Sequence, residues 1–593
     1  MLEDLVRKLF DEKITRRQFL MRSTSATASA AAMAALGTDS LPFYFLRMIE
    51  DSTGSPKIGE PVEGFSFPKP ESRNNPILIL KPESYEESLL FSSFQGLENR
   101  KDSKIYLNYS NSGDLSEYRW LNSLDGVKKI EIRHPFKLIK SHKRNFNGYV
   151  VWDPDLRSTV NVATTISGQK NLLIAAPSQE GVLEELGISK KEDLRNRGWL
   201  SNFDVNNWAI ENLLRDSNPY LIASLDPEMT KLRDYLIMGN IFTFNLDPFP
   251  ITKIPFLSHL FPSLNEHDLF KKLLENTKSN IGILGFWTNQ SMANILSSMM
   301  KFVKKDAEYP WTEYFFVKLV SSYGNFVVPS SEIENLSLFS YSEPFQLKQA
   351  VSNAKYDSEK KYLTFVFSDG DNLGYVNDQM HKLWNDENRG KIALGWSMSP
   401  SLVDVAPSII KYYYATATPK DRIVASPSGI GYHYPNVNPH LDHNLEITSS
   451  QMQKADMHEV WVLNDIIQEI FDDYNPFGHS EPGIMKKYAE KIENLNGILA
   501  RYWHLSEQSS YYMVGDKPVI QSLPAFFFGE SSDTIYDRIK KSDNKFTFVA
   551  INANKTSPSD VVKITQRLDG NYDVVRPDDL MKFITYHENG TSI

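Results

Sequence analysis

The 593-residue chain contains no cysteine at all. Disulfide scaffolds, cysteine-ligated zinc, iron–sulfur clusters and thiol nucleophiles are thereby excluded. No apolar run is long enough for a typical membrane span, which takes about 20 apolar residues. Nor is there an excess of basic charge: 64 lysines and arginines stand against 74 aspartates and glutamates, a net charge of −10 with both signs mixed along the chain. That balance argues against a broad nucleic-acid-binding surface. A Walker P-loop, a G-x-S-x-G elbow and an H-E-x-x-H helix are all missing, and no dinucleotide fingerprint follows a strand. Carboxylates, tyrosines and histidines are left to carry any chemistry. Apolar residues at 41% and aromatics at 12% are ample for buried cores, so global disorder is also excluded. At roughly 150 residues per domain the length predicts about four units.

The amino terminus carries a short signal. Arg16 and Arg17, followed by Gln18, Phe19 and Leu20, precede a small-residue run from Ala26 to Leu36. A twin arginine before a mildly apolar stretch reads as a Tat export signal. The expectation is an exported protein (periplasmic, extracellular or at the cell surface) with the Tat translocase as its partner during export and no stable membrane span. The acids Glu3, Asp4, Asp11 and Glu12 precede the arginines, so a basic amphipathic helix is the alternative. No A-x-A site is clear-cut, and cleavage stays open. Residues 1–36 are assigned to the signal and 37–75, rich in Pro, Gly, Ser and charge, to a linker.

Short apolar runs at 77–80, 104–108, 148–152 and 171–175, separated by helix-length stretches, predict βαβ units. They divide into an amino-terminal α/β domain over 76–170 and one or two further α/β domains over 171–344. From 345 to 593 the pattern becomes more regular. Seven or eight apolar strands alternate with helix-length connections, and polar residues gather just after the strands. Buried strands of this kind predict a parallel sheet or a (β/α) barrel, with a doubly wound open sheet as the alternative. In a barrel, chemistry is assembled at the carboxyl ends of the strands.

Candidate site residues follow from that placement. Asp369 and Asp371 flank Gly370 just after the strand at 362–367. Paired carboxylates there serve as an acid/base pair or hold a cation; equally, aspartates in such a turn cap backbone N–H groups. Asp465, after the strand at 459–463, is a third candidate carboxylate. Gly429, Gly431, Tyr432, His433 and Tyr434 form a turn whose tyrosines offer flat faces suited to a sugar ring, or pack as buried tyrosines. Trp503 and Asn552 occupy further strand-end positions. His440 and His443 are spaced for a metal only if helical; isolated surface histidines are the simpler reading. No cofactor is expected.

The string Gly429–Pro435, GIGYHYP, resembles the motif that names the GxGYxYP glycoside hydrolase family. The segments Phe94–Arg100, Leu232–Tyr235 with Phe242 and Asp247, Ser322–Val328, Asn335–Ser337 and Ser368–Asn372 are similar to family stretches in the same order. Glu98 departs from the family, which has an apolar residue there. The resemblance implies small amino-terminal α/β domains before a carboxyl-terminal barrel-like domain, and a glycan substrate. It transfers no nucleophile or acid. The leading expectation is an exported glycosidase in which two of Asp369, Asp371 and Asp465 flank the scissile bond. A metal-dependent polysaccharide deacetylase and a non-catalytic glycan-binding surface protein are the alternatives.

Overall fold

The computed structural model describes residues 56–109, 119–124, 126–249, 266–287, 311–465, 482–500, 509–523 and 531–590. The twin-arginine segment and Trp503 lie outside these residues. Among the described residues no helix is long and apolar enough to cross a membrane.

Three small parallel sheets precede the barrel. The first orders β1 (Ile77–Leu80), β2 (Ile105–Leu107) and β3 (Lys129–Glu131) as β2-β1-β3. The second orders β4 (Gly148–Val151), β5 (Leu172–Ala175) and β6 (Lys190–Asp193) as β5-β4-β6. The third contains β7 (Leu221–Ser224), β8 (Phe242–Phe244), β9 (Gly282–Gly285) and β10 (Phe326–Val328) in the order β10-β9-β7-β8. Parallel pairing requires crossovers, and the intervening helices supply them.

The family-like segments of this half prove to be internal ties. Gln95 Nε2 donates to Asn335 Oδ1 at 2.7 Å, and Asn99 Nδ2 donates to Ser337 Oγ at 2.9 Å. Asn335 also donates to the Leu107 carbonyl and accepts from the Leu107 amide. Arg100 reaches Asn171 and the carbonyls of Gly168, Ile237 and Met238. Burying these side-chain donors is tolerable because each finds an acceptor. Glu98 is accommodated in the same way: it is buried and accepts from Asn145 Nδ2 at 2.8 Å.

The carboxyl-terminal half is a closed parallel barrel. Its seven staves are β11 (Lys361–Phe367), β12 (Leu394–Met398), β13 (Asp421–Ala425), β14 (Glu459–Val462), β15 (Gly497–Ala500), β17 (Lys517–Leu523) and β18 (Phe546–Ile551). β18 returns to β11, and β11 pairs with β12 through Val366–Gly395 and Phe367–Trp396. The rings of Phe367 and Trp396 stack across that seam at 4.7 Å. β16 (Ser510–Val514) forms an antiparallel hairpin with β17, and β19 (Tyr572–Val574) adds to β11 outside the ring. Strands β12 to β15 and β18 are buried at every residue, as expected of strands covered on both faces.

The buried charges at the amino-terminal end of the barrel are paired. Buried Arg422 binds Glu459 at 2.9 Å, Arg576 binds Asp578 at 2.5 Å, and Asn496 also donates to Glu459. A cavity of 340 Å³ opens at that end beside Gln349, Tyr414 and Asp421. Its carboxylate, Asp421, is already held by Arg389 and by Trp396 Nε1.

Candidate active site

The carboxyl-terminal end of β11 differs from that paired end. Ser368 to Asn372 leave the strand in a turn pinned to β12: the Gly370 amide donates to Ser397 Oγ at 3.1 Å and the Gly370 carbonyl accepts from the Ser399 amide at 2.9 Å. A Cβ on Gly370 would lie 1.7 Å from the Ser397 carbonyl oxygen, so only glycine fits. Asp369 takes the left-handed region at φ +66. Its two side-chain oxygens accept from Ser368 Oγ at 3.0 Å and from Asn554 Nδ2. Helix capping falls to neither aspartate: Asn372 Oδ1 accepts from the amides of Gly374 and Tyr375. Asp371 forms no ion pair among the described residues.

A carboxylate from outside the barrel completes the group. Glu313 sits in the first turn of helix Trp311–Ser322, which leads into β10. The Tyr432 hydroxyl donates to Glu313 Oε1 at 2.7 Å. Tyr432 is placed there by main-chain pairing, with amide and carbonyl bonded reciprocally to Val327 of β10 at 2.7 and 2.8 Å. Gly431 permits that approach, since a Cβ there would lie 2.6 Å from the Val327 carbonyl oxygen. Gly429 adopts φ +122 against the Thr448 side chain.

The electrostatics of Asp369, Asp371 and Glu313 are one-sided. Burial raises the Asp369 carboxyl, partly offset by its bonds from Ser368 and Asn554. Burial, then the charges of Asp369 and Glu313, push Asp371 well above the usual carboxylate range. Burial pushes Glu313 up to about 7, opposed by the Tyr432 hydrogen bond and reinforced by the charge of Asp369. Among the described residues no lysine or arginine is paired with any of the three. The Tyr375 hydroxyl feels the charges of Asp369 and Asp371, is buried, and has no hydrogen-bond partner among the described residues. Like charges gathered in this way raise one another's affinity for protons.

The remaining sequence candidates are placed differently. Asp465 is fully buried, ion-paired to Lys318 Nζ and near the Tyr314 hydroxyl at 3.4 Å. Tyr432 and Tyr434 are only 5% and 8% exposed and meet edge to face at 5.7 Å. His433 is buried with Nδ1 donating to the Gly431 carbonyl, and burial pushes its imidazole down to about 4, so it stays neutral. Asn552 is half-buried, and its Oδ1 accepts from the Asn554 amide at 2.9 Å, shaping the turn that carries Asn554 to Asp369. His440 and His443 contact each other edge to face at 6.3 Å. Among the described residues no three His, Asp or Glu side chains are grouped so as to hold a metal ion.

Family models match three consecutive parts of the chain. These are the GxGYxYP second domain at 146–217, the GxGYxYP third domain at 219–341, and the GxGYxYP putative glycoside hydrolase C-terminal domain at 359–585. The chain belongs to the GxGYxYP family. A crystal structure of a putative hydrolase from Bacteroides thetaiotaomicron is similar in fold, with a TM-score of 0.68 at 20% identity over 90% of this chain and 98% of that one. A putative polysaccharide deacetylase from Mycobacterium smegmatis aligns at a TM-score of 0.28 and 8% identity over 41% of this chain and 96% of that one, too weakly to bear on function. No curated protein matches. In this member of the family the two tyrosines of the motif join the barrel to the helix that bears Glu313.

Proposed function

We propose that this GxGYxYP protein is an exported glycoside hydrolase whose reaction takes place at the carboxyl-terminal mouth of the barrel. The observation that carries this reading is Asp371, a partly accessible carboxyl with no ion pair among the described residues, lifted well above the usual range by burial and by Asp369 and Glu313. A carboxyl whose hold on its proton is strengthened in this way can donate that proton to a departing glycosidic oxygen. Asp369, held by two donors, is the more readily ionised neighbour that maintains this difference. The family's description as glycoside hydrolases supports a glycan substrate, and the twin arginines support export.

The two rival readings have less support. A deacetylase needs a metal-ligating set, and the described residues group no such set. A binding module needs an exposed aromatic platform, and Tyr432 and Tyr434 are buried. The test is cleavage of a panel of oligosaccharides by purified protein, alongside the Asp371→Asn variant. Loss of a general acid is expected to lower turnover by about 10²–10⁴-fold. A folded Asp371→Asn protein that cleaves as well as the wild type would refute the assignment.

A further inference from the structure

An acid needs an anionic partner across the scissile bond, and among the described residues the barrel does not provide a good one. Asp369 is two residues from Asp371 on the same turn, and both of its oxygens are engaged. Asp465 is neutralised by Lys318 in the interior. Glu313 differs from both. It approaches from the third sheet's helix rather than from β11, its charge acts on Asp371, and it pairs with no cation among the described residues. One of its oxygens accepts from Tyr432, a bond that favours the ionised form and fixes the side chain's direction. The buried Tyr375 hydroxyl, without a hydrogen-bond partner among the described residues and within reach of the charges of Asp369 and Asp371, supplies a polar group still able to bond a ligand lying between these carboxyls.

We propose that Glu313 is the second catalytic carboxylate, acting as general base opposite Asp371, and that Tyr432 is its positioning residue. The glycan then lies between barrel and third sheet, and the site is complete only when both are present. The inference rests on the glycoside hydrolase reading given above. As the glycosidic C–O bond breaks, the Asp371 proton passes to the leaving oxygen. The oxygen of a water molecule forms the new bond to the anomeric carbon, and the Glu313 carboxylate takes that water's proton. Asp371 ends ionised and Glu313 protonated. A return of one proton restores both, and the net reaction consumes one water. On this account the two tyrosines of the motif serve the base rather than stack on sugar.

The experiment uses the full chain with an oligosaccharide that the wild type cleaves. Glu313→Gln preserves shape and is expected to lose about 10²–10⁴-fold in kcat while its circular dichroism and thermal unfolding match the wild type. Glu313→Ala opens space beside the anomeric carbon. Added azide is expected to restore turnover and to yield a glycosyl azide, a result that a purely structural role does not produce. The wild-type product is expected to have inverted anomeric configuration, as a base-activated water attacks the face opposite the leaving group. Near-wild-type activity in folded Glu313→Gln, no azide product from Glu313→Ala, or a retained product would each overturn the proposal. The first two would leave the hydrolase reading intact. If the wild type cleaves nothing in the panel, the hydrolase reading fails and this inference falls with it.

Discussion

Replacing Tyr432 with Phe removes one hydroxyl and leaves the ring that packs against Tyr434. The lost bond is a 2.7 Å donation to a carboxylate, and hydrogen bonds to charged groups are worth about 1.5–3 kcal/mol. At about 1.36 kcal/mol per pKa unit that loss raises Glu313 by about 1–2 units. Glu313 starts near 7 in the wild type. Its ionised fraction at pH 7 therefore drops from about one half to between about one tenth and one hundredth, which lowers activity about 5- to 50-fold. The sign is fixed by the donor: a hydroxyl that stabilises the anion depresses the pKa, so its removal moves the acidic limb of the rate profile to higher pH. The assay is kcat/KM against pH for both proteins. Tyr432→Phe should recover most of its deficit as the pH is raised. A uniform loss of rate with an unmoved acidic limb would refute the reasoning.

The remaining predictions concern the same cluster and its supports. Glu313 is raised from 4.5 to about 7 on folding, so it contributes stability below pH 4.5 that is lost as pH rises through 7; relative to Glu313→Gln, the wild type should lose up to about 3 kcal/mol between pH 4.5 and 8, measured by denaturant unfolding. Equal slopes of stability against pH in the two proteins would count against the cluster. Lys318→Met strands Asp465 in the interior and should cost about 3–5 kcal/mol, with Lys318→Met/Asp465→Leu recovering much of it; a double variant no more stable than the single would contradict the buried pair. Gly431→Ala places a methyl 2.6 Å from the Val327 carbonyl oxygen, and should cost about 1–3 kcal/mol in thermal or chemical unfolding; an unaltered midpoint would argue against the close approach of the motif to β10.

Much of the barrel was legible because both faces of its strands are covered. Tyr362–Phe367 and Phe546–Ile551 read as unbroken apolar runs, and the structure pairs them residue for residue. The turn carrying Asp369 and Asp371 was legible for the same reason, since a polar cluster ending such a run marks a strand's carboxyl end. The role of the tyrosines was not. Side-chain type allows Tyr432 either a sugar or a carboxylate, and the choice is made by the bridge to Val327, over a hundred residues earlier in the chain. Glu313 lies in a helix whose sequence, WTEYFFVKLVSS, reads as buried. Its one local signal is that Glu313 and Lys318 are the helix's charged residues: a buried helix carries charges only where each has something to meet, and these meet Tyr432 and Asp465. Chain-distant contacts of this kind leave no periodicity to read.

The most direct measurement is product analysis on an oligosaccharide panel incubated with wild type, Asp371→Asn and Glu313→Gln, each checked for folding. The account predicts new reducing ends from the wild type with inverted configuration, and losses of about 10²–10⁴-fold in both variants. Cleavage that survives in either folded variant, or a folded wild type that releases no reducing ends from any glycan, would contradict it.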